Sequence, residues 1–247
     1  MQGKIYVTGI GPGAEGYLTG DAARALEEAD LIVGYSVYIN LLPGRFKTVE
    51  TYATGMGQEA ERCRYALDRA KAGRIVAVIC SGDPGVYGMA GLIYDIALRH
   101  GEAADEVDIT IIPGITAALS GAALLGAPVG SDFAVISLST ALTPWEDIAG
   151  RLEHAALGDF VIVIYNPMSR SRPDTLRAAC DIISEHTGND RAAGYARNIG
   201  RDGEEYALTT VGELRDAELD MFTTVFIGNS TTFIIDGRMI TGRKYVI

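Results

Sequence analysis

Short apolar runs alternate with amphipathic stretches along the N-terminal half of the chain. The apolar runs predict β-strands at Gly3–Ile10, Leu31–Val33, Arg74–Cys80 and Val107–Ile112. The stretches between them predict helices at Asp21–Ala29, Gln58–Ala72 and Gly88–His100. The run Arg74–Cys80 is apolar enough to be buried on both faces, which is typical of a central parallel strand. The alternation therefore predicts an open, mostly parallel α/β sheet with right-handed crossovers.

The pattern changes after Pro128, and the C-terminal half predicts a mixed sheet. Apolar runs predict strands at 133–138, 160–165, 206–210, 223–228, 233–235 and 238–240. Helical periodicity covers Trp145–Leu157 and Arg172–His186. The last two strands flank Asp236-Gly237, a strong signal for a two-residue hairpin. We therefore expect two α/β domains, 1–113 and 131–247, joined by a small apolar helix region at 114–130.

Composition narrows the function classes. The 247-residue chain carries a formal net charge of −11 and is 48% hydrophobic. Such acidity argues against nucleic-acid binding, and an acidic substrate would require a local cluster of basic side chains. No run of eighteen apolar residues is present, and the start of the sequence lacks the apolar core of a signal peptide. We therefore expect a soluble, cytoplasmic protein without a membrane partner.

The cysteines and histidines indicate neither a metal site nor a nucleophile. Cys63, Cys80 and Cys180 are widely separated, as are the three histidines. No pair has the spacing of metal ligands, and no cysteine is next to a histidine. There is also no G-x-S-x-G elbow. The pattern favours chemistry in which a cofactor supplies the reactivity and the protein positions the reactants.

Glycine-rich segments follow three of the predicted strands. The sequences are GIGPGA at 9–14, CSGDPGVYGMAG at 80–91 and IPGITA at 112–117. The first fits a loose dinucleotide fingerprint, but no helix starts at its second glycine and no acidic residue ends the second strand. In open α/β sheets, ligands bind outside the carboxyl ends of strands. We therefore predict a shared ligand site, with glycines that let a ligand approach the backbone.

Asp83 and the polar residues of the second half remain open to two interpretations. Asp83-Pro84-Gly85 makes a plausible Asx turn, and the carboxylate is also placed to contact a ligand. Asn166 follows the strand that ends at Tyr165, as a fourth polar strand exit. Basic side chains follow nearby in the sequence or near its C-terminus, and any of them could bind carboxylates or be ordinary surface charge: Arg170, Arg172, Arg197 and Arg243.

Together these motifs resemble the tetrapyrrole (corrin/porphyrin) methyltransferase family over essentially the whole chain. Within the family they are similar to the group that methylates carbon 17 of precorrin-3B in cobalamin biosynthesis. The segments that carry the resemblance are GIGPG, SGDPGVYGMA, PGITAALSGAALLGAP, SDFAVISLSTALTPWEDI, DFVIVIYNPMSRSR and LDMFTTVFIGNS. The sequence departs from the group at Ser131, where a histidine is usual, and at TGRKY, where TPRGY is usual.

The resemblance implies S-adenosyl-L-methionine bound in a cleft between two α/β domains of a homodimer. It implies cofactor contacts at Pro12, Ser81, Gly82, Asp83, Val86, Thr116, Ala117, Tyr165, Asn166 and Asn198. The arginines named above become candidates for binding the carboxylates of a precorrin. Related enzymes have a carboxylate, the proposed base, where this sequence has Tyr35, so that role does not transfer. Tyr35 and Asp83 remain the candidates for a catalytic role, and no metal is implied.

The implied reaction is transfer of a methyl group to carbon 17 of precorrin-3B or cobalt-factor III, with ring contraction. The sequence does not distinguish the oxygen-dependent pathway from the early-cobalt pathway. One alternative keeps the fold and changes the acceptor to another precorrin position or a diphthamide-type substrate. The other is a nucleotide-dependent oxidoreductase that uses GIGPGA.

Overall fold

The chain divides into two compact units, Met1–Thr116 and Ala117–Ile247. The computed structural model describes residues 3–101 and 106–243. The small apolar helix predicted in the linking region begins at Ala117 and lies in the second unit.

The first unit is built on a five-stranded sheet in which every pair of neighbours is parallel, in the order β3-β2-β4-β1-β5. Its strands are β1 (Gly3–Gly9), β2 (Leu31–Tyr35), β3 (Glu50–Thr54), β4 (Ile75–Cys80) and β5 (Val107–Ile112). The predicted parallel sheet is therefore confirmed. Strand β3 was not predicted, because its sequence ETYAT is polar and mostly exposed, as befits a strand at the edge of the sheet.

Helices cover both faces of this sheet. They are α1 (Gly20–Glu28), α2 (Ser36–Leu41), α3 (Glu59–Lys71) and α4 (Ala90–Tyr94), which continues as a π-helical turn at Asp95–Arg99. Single 3₁₀ turns occupy Glu15–Tyr17 and Gly44–Phe46. Strand β4 shows the layering, because Val76 and Val78 pack in the core with α3 and α4 while Ala77 and Ile79 pack in the core with α1. Burial of alternate residues on opposite faces explains the continuous apolar run.

The second unit has a five-stranded mixed sheet and a three-stranded sheet, ordered β10-β9-β11-β8-β7 and β12-β13-β6. Its strands are β6 (Gly126–Ala127), β7 (Phe133–Ser137), β8 (Val161–Tyr165), β9 (Ala192–Arg197), β10 (Glu205–Thr210), β11 (Thr223–Ile227), β12 (Thr232–Ile235) and β13 (Arg238–Thr241). Its helices are α5 (Ala117–Leu125), α6 (Trp145–Leu157), α7 (Thr175–Thr187) and α8 (Val211–Leu214). β7 and β8 are parallel and the other pairs of the larger sheet are antiparallel, which confirms the predicted mixed sheet.

Two details of the second unit follow from local chemistry. Asp236 and Gly237 both have positive φ, 48° and 69°, as a type I′ turn requires, and the predicted β12–β13 hairpin is confirmed. Strand β9 was missed because Ala and Gly dominate its sequence, AAGYAR, and both have low β propensity. Small residues are needed there, since a Cβ on Gly194 would lie 2.9 Å from the carbonyl oxygen of Ala207.

Candidate cofactor and substrate site

Three glycines bring the loops after β1, β4 and β5 into direct backbone contact. A Cβ on Gly114 would lie 2.1 Å from the carbonyl oxygen of Gly82, and a Cβ on Gly9 would lie 2.6 Å from the same atom. Neither position has room for a side chain. These glycines therefore pack the loops against one another, and the approach of a ligand to their backbone stays a prediction.

A short antiparallel bridge joins the first two loops. The Gly11 amide donates to the Gly82 carbonyl at 3.2 Å, and the Gly82 amide donates to the Gly11 carbonyl at 2.8 Å. Both residues have positive φ, 71° and 69°, which glycine adopts without strain. Gly82 is a predicted cofactor residue, and its backbone polar groups both bond within the protein.

Asp83 completes the connection between the loops after β4 and β5. Its Oδ1 accepts from the Gly85 amide at 2.8 Å, which is the predicted Asx turn. Its Oδ2 accepts from the Gly114 amide at 3.0 Å. Both carboxylate oxygens thus brace the loops, and each keeps a lone pair with which a ligand could bond.

The predicted cofactor residues of the first unit follow the carboxyl-terminal ends of its parallel strands. Pro12 follows β1, the segment from Ser81 to Val86 follows β4, and Thr116 follows β5. Because β4, β1 and β5 are neighbours in the sheet, their carboxyl ends are adjacent. Ala117, which directly follows Thr116, is the first residue of α5.

A cavity of about 150 Å³ lies within the first unit. Its lining includes the predicted residues Tyr35 and Ser81. It also includes residues that were not predicted from the sequence: Tyr38, Met56, Glu59, Arg62, Ile79, Cys80, Tyr87, Gly88 and Met89. Tyr35 ends β2 and packs edge-on against Tyr38, with ring centroids 5.1 Å apart. The cavity therefore brings one catalytic candidate and one cofactor candidate to a common space.

The helical periodicity of α3 contained a signal for the most unusual of these residues. The buried positions of this helix are Arg62, Cys63, Ala66, Leu67 and Ala70. Arginine at a buried position of an apolar stripe marks a cation that needs a specific reason to be there. Only arginines near strand ends and near the C-terminus were predicted as candidates, so Arg62 was missed.

In the second unit, Tyr165 and Asn166 lie at the end of β8 beside the end of β7. The Tyr165 hydroxyl accepts from the Ala118 amide at 2.7 Å, which ties β8 to the first turn of α5. Asn166 has a positive φ of 53° and donates through Nδ2 to Ser137 Oγ at 2.9 Å. The tight strand exit expected at Asn-Pro is present, and its side chains bond to neighbouring elements of the same unit.

Arg197 and Asn198 lie at the end of β9, on the same edge of the sheet, since β8 and β9 are each antiparallel to β11. Arg197 forms ion pairs with Glu205 at 3.1 Å and Asp220 at 2.7 Å. The hydrogen bond to Glu205, supported by Asp220, raises the pKa of Arg197. Two carboxylates already neutralise the charge of this guanidinium, so it attracts an anionic substrate less strongly. Asn198, at a φ of 50°, donates through Nδ2 to the Gly203 carbonyl.

The other predicted substrate arginines differ in their surroundings. Arg172 donates through Nη1 to the Leu138 carbonyl at 2.5 Å and so braces the end of β7. Arg170 and Arg243 are exposed. Arg172 and Arg197 are only partly exposed, so Arg170 and Arg243 are the more exposed residues of the four.

The three thiols are not candidates for an attacking nucleophile. Burial raises the pKa of each of Cys63, Cys80 and Cys180 to about 12, so none is a thiolate near neutral pH. His154 is in α6 and His186 in α7, while His100 follows the π-helical turn. Within residues 3–101 and 106–243, no group of three His, Cys, Asp or Glu residues could hold a metal ion. No described helix is long and apolar enough to cross a membrane.

The α/β fold and the glycine-rich strand-end loops agree with one family of proteins. A family model for the tetrapyrrole (corrin/porphyrin) methylases matches residues 4–215, and the chain belongs to this family.

Two curated relatives narrow the comparison. The probable cobalt-factor III C(17)-methyltransferase of Salmonella typhimurium is 42% identical over 98% of this chain and all of its own length. The cobalt-factor III methyltransferase of Priestia megaterium is 44% identical over 99% of this chain. The chain spans only 46% of the length of the Priestia protein.

Solved structures agree with the fold. The crystal structure of the methyltransferase CobJ superposes with a TM-score of 0.90 and 38% identity, covering 97% of this chain and all of that one. Uroporphyrin-III C-methyl transferase from Thermus thermophilus, solved in complex with S-adenyl homocysteine, superposes with a TM-score of 0.68 and 22% identity, covering 92% of each chain. The second likeness concerns the fold alone.

Proposed function

We propose that this chain is an S-adenosyl-L-methionine-dependent methyltransferase that acts on carbon 17 of a precorrin macrocycle, either cobalt-factor III or precorrin-3B, with ring contraction. The observation that carries this proposal is 42% identity to a probable cobalt-factor III C(17)-methyltransferase over the full length of that relative. The segments that favour this group over other acceptors are TPWE, which follows β7, and YNPMSRSR, which begins at the last residue of β8.

The residues at the strand ends suit this cofactor better than a dinucleotide. A dinucleotide needs a helix N-terminus directly after the glycine-rich loop, to face the pyrophosphate. Here α1 begins only at Gly20, after a 3₁₀ turn, and β2 ends in Tyr35 rather than in an acidic residue. The oxidoreductase alternative is therefore disfavoured. The donor set of the β4 loop is a hydroxyl, a carboxylate and backbone groups, which can bond the hydroxyl and amino groups of an adenosyl sulfonium compound.

We propose that Pro12, Thr116 and the β4 loop residues Ser81, Gly82, Asp83 and Val86 hold the cofactor, together with Ala117. Tyr165, Asn166 and Asn198 belong to the same proposal on the strength of the family resemblance. When bound, S-adenosyl-L-methionine supplies an activated methyl group on a sulfonium. The chain itself must then position donor and acceptor within about 3–3.5 Å and exclude water. The braced loops suit that task, because their backbone hydrogen bonds and glycine contacts leave them little freedom to move.

No protein nucleophile is required for this transfer. The raised pKa values of all three thiols fit direct transfer from cofactor to macrocycle carbon. We propose Tyr35, which lines the cavity, as a residue that faces the macrocycle, and Arg170 and Arg243 as the arginines that meet its carboxylates.

Incubation with S-adenosyl-L-methionine and each macrocycle tests the proposal. We expect mass spectrometry to show one added methyl group on cobalt-factor III or precorrin-3B, and nuclear magnetic resonance to place it at carbon 17. Methylation of a different position would favour the alternative acceptors, and no transfer to either macrocycle would contradict the proposal. We also propose that the protein is a homodimer, which light scattering of the purified protein tests. We further propose that it is cytoplasmic.

A further inference from the structure

Arg62 is a buried cation that lines the cavity of the first unit. Only 4% of the residue is exposed, and it lies on the face of α3 that otherwise buries Cys63 and Ala66. It nevertheless lines the cavity together with Tyr35 and Ser81. A buried guanidinium is costly unless its charge and its N–H groups are matched.

The surrounding protein provides hydrogen-bond acceptors for only some of the N–H groups of the Arg62 guanidinium. Nη1 donates to Thr54 Oγ1 at 2.5 Å and to the Gly55 carbonyl at 2.7 Å, while Nη2 donates to Glu59 Oε1 at 3.1 Å. A guanidinium has five N–H donors, so these bonds leave Nε–H and one N–H of Nη2 for a further acceptor. Among the described residues, Glu59 is the only carboxylate that forms an ion pair with Arg62, and its side chain is 43% exposed, so water weakens its compensation.

The size of the cavity limits what can enter it. About 150 Å³ is too small for a macrocycle or a complete nucleoside cofactor, whose sites usually measure 300–1,000 Å³. It is enough for an arm of a few atoms that ends in a carboxylate, since one water occupies about 30 Å³.

The rim suits a larger apolar body outside the cavity. Met56 and Tyr87 are each 59% exposed, although both line the cavity. Tyr87 also has a φ of 53°, a left-handed conformation that is strained for a tyrosine, and such strain clusters at ligand sites. With Tyr35 and Tyr38 they give the cavity an aromatic and thioether edge.

We propose that this cavity receives a short arm ending in a carboxylate, which Arg62 binds as the specificity-determining cation. The proposal rests on the proposed function, because both of the proposed ligands, the tetrapyrrole and the cofactor, carry an arm of this kind. One is an acetate or propionate side chain of the tetrapyrrole, and the other is the methionyl end of the cofactor. A guanidinium fork binds either through the same charge-assisted hydrogen bonds.

The competing explanation is that Arg62 only braces the β3–α3 connection through Thr54 and Gly55. Three variants separate the two roles. Arg62→Gln removes the charge, and Arg62→Lys keeps it without the fork. Arg69→Gln is the matched control, because it makes the same change at an exposed position of the same helix. Titration calorimetry with S-adenosylhomocysteine and with cobalt-factor III gives the dissociation constants, and circular dichroism monitors folding.

We expect Arg62→Gln to raise one of the two dissociation constants about tenfold or more, Arg62→Lys to raise it less, and Arg69→Gln to change neither by more than about twofold. A rise for cobalt-factor III alone assigns the arm to the tetrapyrrole, and a rise for S-adenosylhomocysteine assigns it to the cofactor. Unchanged constants in folded Arg62→Gln protein would overturn the proposal, even where the wild-type protein methylates the macrocycle and the proposed function stands.

If the Arg62→Gln protein does not fold, the dissociation constants of a Glu59→Gln variant distinguish carboxylate binding from bracing of the loop. Removing the carboxylate that competes for Arg62 makes the cavity more positive, so we expect the affected dissociation constant to fall about threefold. An unchanged constant in this variant would show that Arg62 only braces the loop.

Discussion

Asp83 Oδ2 accepts a hydrogen bond from the Gly114 amide at 3.0 Å, which ties together two loops whose residues are 31 positions apart in the sequence. The same carboxylate accepts from the Gly85 amide through its other oxygen. The Asp83 side chain therefore closes a local turn after β4. It also holds the loop after β5, which lies two strands away from β4 in the sheet. It can do so because β1, which separates β4 from β5, ends in a glycine with no side chain in the way.

We expect Asp83→Ala to lower the free energy of unfolding by about 2 kcal/mol, because two backbone amides lose their acceptor. Asp83→Asn should cost about half as much, since its carboxamide oxygen can still accept from one of them. Urea denaturation measures both. Asp108→Ala, at an exposed ion pair with Lys4, is the control and should cost well under about 1 kcal/mol. An Asp83→Ala variant as stable as this control would show that the brace contributes little.

Asp83→Ala should also weaken S-adenosylhomocysteine binding in the folded protein, because the loops that we propose to hold the cofactor lose their cross-connection. Calorimetry below the unfolding transition measures this effect separately from stability. Undiminished affinity would confine Asp83 to its structural role.

Gly114→Ala should destabilise the first unit by about 3 kcal/mol or more, because the new Cβ would lie 2.1 Å from a backbone oxygen that cannot move without its loop. Gly91→Ala is the matched control. A Cβ at Gly91, in α4, would have no atom of a neighbouring segment within 4 Å, so alanine there should stabilise by about 0.5–1 kcal/mol. Thermal unfolding of the two variants should shift in opposite directions, and equal shifts would contradict the proposed packing of the loops.

The sequence predicted most of the fold because hydrophobic periodicity is a local signal. The β12–β13 hairpin was predicted because Asp236-Gly237 favours one turn type wherever it occurs. Strands β3 and β9 were missed because an exposed edge sequence and an alanine-rich central strand lack that signal. Tertiary packing determines them, since β9 needs small residues opposite β10 and α5.

The candidate site was predictable as far as the strand ends and no further. Glycine-rich exits indicated where loops would meet, but not that Gly9, Gly82 and Gly114 would touch one another. Such contacts depend on strand order, which no local pattern gives. Arg62 lies in a helix rather than at a strand exit, and only its position on the apolar stripe of α3 distinguished it from the exposed Arg69.

The buried thiols predict a loss of stability at alkaline pH. Their pKa is about 12 in the folded protein against an ordinary value of 9.0, so the unfolded chain releases thiol protons first. The stabilisation is complete below pH 9 and is lost as the pH rises from 9 toward 12. Between pH 8 and 10 the three thiols together should cost about 4 kcal/mol.

Urea denaturation of the wild-type protein and of a Cys63→Ala, Cys80→Ala, Cys180→Ala variant checks this slope. Tyrosines and lysines titrate in both proteins, so the difference between the two slopes isolates the thiols. Equal slopes would show that the thiols titrate normally in the folded state.

S-adenosylhomocysteine should raise the melting temperature of the protein, because a ligand that binds only the native state stabilises it. At a free concentration one hundred times its dissociation constant, the stabilisation is about 2.7 kcal/mol. NADH is the matched negative control, since α1 begins only at Gly20 and leaves no helix N-terminus directly after Gly11 for a pyrophosphate. Differential scanning calorimetry at several ligand concentrations gives both the shift and its dependence on concentration. A shift with NADH and none with S-adenosylhomocysteine would reverse the assignment of the glycine-rich loops and restore the dinucleotide interpretation of GIGPGA.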